Sequence, residues 1–111
     1  MARVEQQKII LTPLVRQKLK ALLSSLIYKG YFTYIENASN YIEALRSVVY
    51  TIPTRRHYHT NSKRYGAFYC RYSPNKHTTW YITFDTDGQT FLVKNIFNNH
   101  TKDYPSFIRN L

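Results

Sequence analysis

The sequence predicts one α+β domain over residues 1–111: a short N-terminal strand, an antiparallel helical hairpin, then a three-stranded antiparallel meander packed on the helices. Three observations predict it. Two early stretches repeat apolar residues every three or four positions, the mark of amphipathic helices. From Gly66 onward, short runs rich in aromatic and β-branched residues read as strands. Turn-forming segments separate those runs, and Asp87-Gly88 is the strongest of them.

Ile9-Ile10-Leu11 is the first apolar run and reads as a strand. Thr12-Pro13 then opens a helix, with Thr as N-cap and Pro at the first helical position. Leu14, Val15, Leu19, Leu22, Leu23, Leu26 and Ile27 form its apolar stripe, and Gly30 stops it. Thr33 and Glu36 fit a capping box that starts a second helix. Ile35, Ala38, Ile42, Leu45, Val49 and Ile52 give that helix one apolar face, and Pro53 ends it. Residues 54–64 are polar and basic and read as a loop or a frayed edge strand.

Three strands follow, over residues 66–72, 78–85 and 90–97. Alternation places Phe68, Cys70 and Tyr72, then Trp80, Ile82 and Phe84, toward the helices. Tyr69, Arg71 and Tyr81 are left on the other face. The last strand is ambiguous, because both of its faces mix apolar and polar residues. A polar tail closes the chain.

Composition narrows the function classes. Lys and Arg total 16 against 6 Asp and Glu, for a net charge of +10, so an acidic partner is expected: nucleic acid, an acidic protein or an anionic membrane. No apolar run approaches the ~20 residues that span a bilayer, so a membrane is the least expected of these. The first residues lack the apolar core of a signal peptide, and Cys70 is the only cysteine. These features predict a cytoplasmic protein with a buried, inert thiol. His57 and His59 share a strand face without a further pair of ligands, so no metal or cofactor is expected.

The candidate site residues lie between Arg55 and Tyr104. Arg71, beside Tyr69 and Tyr81, reads either as a phosphate-stabilising group or as a strand arginine paired across to Asp85. His100 reads as a general acid or as a surface turn residue. Tyr104 would stack on a base or orient a 2′-hydroxyl, or else anchor the tail. Lys63, Arg64, Lys76, His77, Lys94 and Lys102 add positive charge for a polyanion. Arg55, Arg56, His57 and His59 read as a solvated basic loop. An RNA-recognition domain would interleave its strands and helices differently.

The element order resembles the RelE/ParE superfamily of toxins from bacterial type II toxin–antitoxin systems. Leu11-Thr12-Pro13, the proline-ended second helix from Ala44-Leu45 to Ile52-Pro53, and the stretch from Val93 to Tyr104 carry the resemblance. It implies a cognate acidic antitoxin and one of two activities. RelE-like members are metal-independent endoribonucleases that cut mRNA on the ribosome. ParE-like members poison DNA gyrase. On the first reading the resemblance makes Arg71, His100 and Tyr104 the catalytic residues. Lys63, Arg64, Tyr69, Lys76, His77, Tyr81, Lys94 and Lys102 would then bind nucleic acid. Lys94 stands in the strand where RelE-like toxins often carry an arginine, and the second meander strand has no basic residue. A non-catalytic RNA-binding module is the third expectation.

Overall fold

The structure, a computed structural model, describes residues 7–28, 35–60 and 64–109. Its order is β1 (Lys8–Leu11), α1 (Pro13–Tyr28), α2 (Ile35–Tyr50), a 3-10 turn (Ile52–Thr54), β2 (Tyr58–His59), β3 (Phe68–Tyr72), β4 (Trp80–Thr86), β5 (Thr90–Asn98) and α3 (Asp103–Arg109). The strands form one mixed sheet in the order β1-β5-β4-β3-β2. Only β1 and β5 run parallel; the other neighbours are antiparallel. The fold is thus α+β, with three α-helices and five strands among the described residues. No helix among those residues is long and apolar enough to cross a membrane.

Periodicity explains the helices. Val15 and Leu19 of α1 and Ala38, Ile42, Leu45 and Val49 of α2 are buried against the sheet or each other. Leu14, which spacing put on the stripe, is exposed. The Thr12 hydroxyl donates to the Lys94 carbonyl and ties the helix start to β5. The helix α2 ends at Tyr50, short of Ile52, because Pro53 cannot continue it. Ile52 is still fully buried, carried inward by the 3-10 turn. The Gly30 stop and the Thr33 end of the capping box lie outside the described residues.

Alternation explains most of the sheet. Cys70, Trp80, Ile82 and Phe84 sit in the core under α1 and α2, with Phe68 and Tyr72 packed against it. The β4–β5 hairpin turns at Gly88, whose φ of 96° suits glycine. Asp87 holds the turn by accepting from the Gln89 and Thr90 N–H groups. Gly66 also has positive φ, and a Cβ there would meet the Phe84 carbonyl oxygen at 2.9 Å.

The ambiguity of β5 has a physical cause. Thr83 pairs with Asn95 while Phe84 pairs with Val93, so Lys94 is the extra residue of a β-bulge. A bulge reverses the facing order along its strand. Phe91 and Val93 before it, and Ile96 after it, therefore all reach the helix-side core.

The chain end departs from the expected polar tail. Residues 103–109 form α3, which lies on the face of the sheet opposite α1 and α2. Asp103 suits the first turn electrostatically, and Pro105 falls where a missing N–H costs nothing. Phe107 supplies the driving force, since it is fully buried. Lys18 holds the helix start: its ammonium reaches Asp103 at 3.1 Å, the Asn95 side chain at 2.7 Å and the Ile96 carbonyl at 3.2 Å.

Candidate nucleic-acid interface

Arg71 faces away from α1 and α2, as alternation along β3 requires. It does not pair with Asp85, which instead accepts from the Ala67 N–H at 2.7 Å and meets Lys94 at 3.6 Å. The Arg71 guanidinium donates to the Tyr58 hydroxyl at 2.8 Å, and its carbon lies 4.5 Å from that ring's centroid. The Arg56 guanidinium approaches the same ring at 5.3 Å. Tyr58 rests on Tyr69, its cross-strand partner, with centroids 5.2 Å apart. The hydrogen bond to Tyr58 raises the Arg71 pKa above its ordinary value, so this group is always charged.

Arg56, Tyr58 and Arg71 line an open cleft of about 600 Å³, completed by Thr54, Arg55 and Ser73. Three arginines therefore line one cavity, of which Arg55 also donates through Nε to the Thr51 hydroxyl at 3.1 Å. No carboxylate lines it among the described residues. Asp85, Asp87 and Asp103 are engaged elsewhere, with Lys94, the β4–β5 turn and Lys18. Uncompensated like charges at close range repel, and a bound phosphate would relieve that repulsion. The sequence reading missed Arg55 and Arg56 as site residues. The Arg-Arg-His-Tyr-His run was the available signal, but only the β2–β3 pairing brings its arginines beside Arg71.

The two tyrosines expected on an open platform are covered. Tyr69 and Tyr81 are each only 8% exposed. With Tyr65, Phe97 and Phe107 they make a second core, rimmed by Tyr58 and Tyr104. The reason is α3: the Phe107 ring lies 5.1 Å from Tyr69 and 5.4 Å from Tyr81. Burial, then a hydrogen bond donated to Tyr104, pushes the Tyr81 pKa up to about 12. Tyr81 stays protonated at neutral pH. Tyr104 is half-buried with its ring 5.5 Å from Tyr81, the position of a tail anchor.

His100 lies on the other side of the sheet. Its ring bonds the Thr78 hydroxyl at 3.2 Å and borders a groove of about 400 Å³ with Leu22, Tyr41 and Trp80. Arg71 and Tyr104 thus both flank Tyr81, whereas His100 and Arg71 line different cavities. Lys76 and His77 are exposed in the β3–β4 turn, and Lys102 is exposed just before α3. Arg64 and Lys94 border a separate cleft of about 550 Å³ that also contains Lys18 and Asp103. Lys63 lies outside the described residues.

Of the neighbouring histidines, His59 is exposed but His57 is packed inward. The His57 ring packs 4.9 Å from Phe84 and 5.8 Å from Phe91. Its Nε2–H donates to the Ile52 carbonyl at 2.8 Å. Cys70 is fully buried, and that burial pushes its thiol pKa up to about 11, which makes it a poor nucleophile.

No family model matches the chain, and neither the characterised proteins nor the solved structures compared with it include a match.

Proposed function

We propose that this protein is an RNA-directed toxin of the RelE/ParE kind, neutralised by an acidic antitoxin, that grips an RNA phosphate in the Arg55–Arg56–Arg71 cleft. Three arginines lining one cleft, with no carboxylate among the described residues there, carry this reading. The strand–helix–helix–sheet order and the net charge of +10 support it. Arg71 has the principal role. Tyr58 fixes its guanidinium in advance, so it meets the charge that grows on the non-bridging phosphate oxygens as a 2′-oxygen attacks. Arg55 and Arg56 hold the flanking backbone on the ribosome-bound message. Tyr104 sits on the same face and orients the ribose. His100, across the sheet, would act as acid only if the RNA wraps the sheet end.

Expression should arrest growth, with message cleavage that appears only during translation and is mapped by primer extension. The Arg56→Ala, Arg71→Ala double variant should lose both effects while its melting temperature holds. Full toxicity in that variant would sink the reading. RNA affinity should fall with salt with a log–log slope near about −2 for three contacts, each arginine removed lowering it by about 0.7.

One observation favours a second reading, ParE-like poisoning of DNA gyrase. Arg71 and His100 line different cavities and Tyr81 is held protonated, so among the described residues no acid–base pair is assembled around Arg71. On that reading, supercoiling stops while messages stay intact.

A further inference from the structure

We propose that the groove between α1, α2 and the β3–β4 turn is a nucleobase-binding pocket, separate from the arginine cleft. Its volume of about 400 Å³ falls within the range of small-ligand sites. One wall is apolar and aromatic, formed by Leu22, Leu26, Tyr41 and Trp80. The Trp80 indole N–H donates to the Tyr41 hydroxyl at 2.8 Å, which fixes both rings before any ligand arrives.

The opposite rim is polar and carries a directional pattern. The Asn75 side-chain oxygen accepts from the His77 and Thr78 N–H groups, each at 2.9 Å. The Asn98 side-chain oxygen accepts from the His100 N–H at 2.8 Å. Each asparagine has thus spent its acceptor on the backbone. Each keeps an NH₂ donor with no protein partner among the described residues. Two amide donors and an imidazole beside an aromatic wall suit a flat ring with carbonyl and ring-nitrogen acceptors along one edge.

Charge separates a base from a phosphate here. Among the described residues, no Lys, Arg, Asp or Glu lines the groove, in a chain of net charge +10. The part of the ligand inside is therefore neutral. Cations wait at the edges: Lys76 follows Asn75, and Lys102 lines a contiguous cavity of about 370 Å³ that shares Leu22, Ser25, Trp80 and Thr101. A nucleotide seated by its base would present its phosphate to them.

Trp80 is the only tryptophan, so the groove contains its own reporter. Titration with AMP, GMP, CMP and UMP should give saturable quenching of its fluorescence by at least one of them. Ribose 5-phosphate should give none. Asn75→Asp and Asn98→Asp keep the backbone-bonded acceptor but replace the donor, so both should fold and each should weaken binding about three- to tenfold. Three outcomes overturn the proposal: no saturable quenching by any nucleotide, equal competition by ribose 5-phosphate, or unchanged affinity in both aspartate variants with wild-type melting. Quenching by an apolar peptide but by no nucleotide would likewise reassign the groove to a protein partner. The test reads binding alone, so it stands whether or not the protein proves toxic.

Discussion

On one face of the sheet, α1 and α2 lay Val15, Leu19, Leu45 and Val49 over Ile82, Phe84, Val93 and Ile96, all buried. On the other, the seven-residue α3 covers a smaller cluster of Tyr65, Tyr69, Tyr81, Phe97 and Phe107. The first core is mainly aliphatic, and the Trp80 indole N–H at its edge is paired with the Tyr41 hydroxyl. The second is aromatic and polar at its edges, and the Tyr65 and Thr83 hydroxyls are buried there without a partner among the described residues. An unpaired buried hydroxyl costs about 1–3 kcal/mol. The helix-side core therefore holds the fold, and the α3 side is the softer region. The arginine cleft borders that softer side.

Truncation in the first core should do the most damage. Leu45→Ala should cost about 2–5 kcal/mol and unfold both faces together in a denaturant titration. If α3 lost its amide protection long before the rest of that variant, the cores would be less tightly linked than this. Phe107→Ala should cost about 2 kcal/mol, below the usual value for a buried phenylalanine, because α3 can detach locally. Hydrogen exchange should then show α3 amides unprotected and β4 amides still protected. A global loss as large as that of Leu45→Ala would erase the distinction between the faces.

Alkaline pH should weaken both cores, the first through the buried Cys70 thiol, whose pKa is pushed up to about 11, and the second through Tyr81. The folded pKa of Tyr81, about 12, lies above the ordinary tyrosine value of about 10. The stability linked to its protonated form is full below about pH 10 and is lost as pH rises toward about 12. Ultraviolet titration of tyrosinate should resolve late ionisations of Tyr41 and Tyr81, and Tyr104→Phe should shift only that of Tyr81 downward by removing the bond to Tyr104. A titration that Tyr104→Phe leaves unchanged would remove this role for Tyr104. The smallest effect should be a gain. Thr83→Val keeps the shape, removes an unpaired hydroxyl and should stabilise by about 1 kcal/mol in thermal melts. Destabilisation would mean that the hydroxyl has a solvent partner.

Much of the first core was legible. Helical spacing found Val15, Leu19, Leu45 and Val49, and strand alternation found Cys70, Trp80, Ile82 and Phe84. Alternation also turned Arg71 away from that core. The site was less legible. Tyr69 and Tyr81 shared Arg71's face as expected, but nothing in their own strands told that Phe107 would cover them. His100 follows the last strand directly, yet it borders the groove on the helix side.

Period and turn chemistry are local, so the sequence by itself determined where the main helices and strands lie and which side chains share a face. It also set the positive charge and the inert cysteine. Which face is covered, and by what, was decided by contacts between distant parts of the chain. The bulge at Lys94 appears only when β5 is paired with β4 and must keep both Val93 and Ile96 in the core. The seven residues of α3 gain too little from propensity to fold alone; the pocket under Phe107 makes them helical. Arg55 and Arg56 meet Arg71 only because two residues of β2 pair with β3. Long-range pairing thus turned a basic loop and an isolated strand arginine into one cleft.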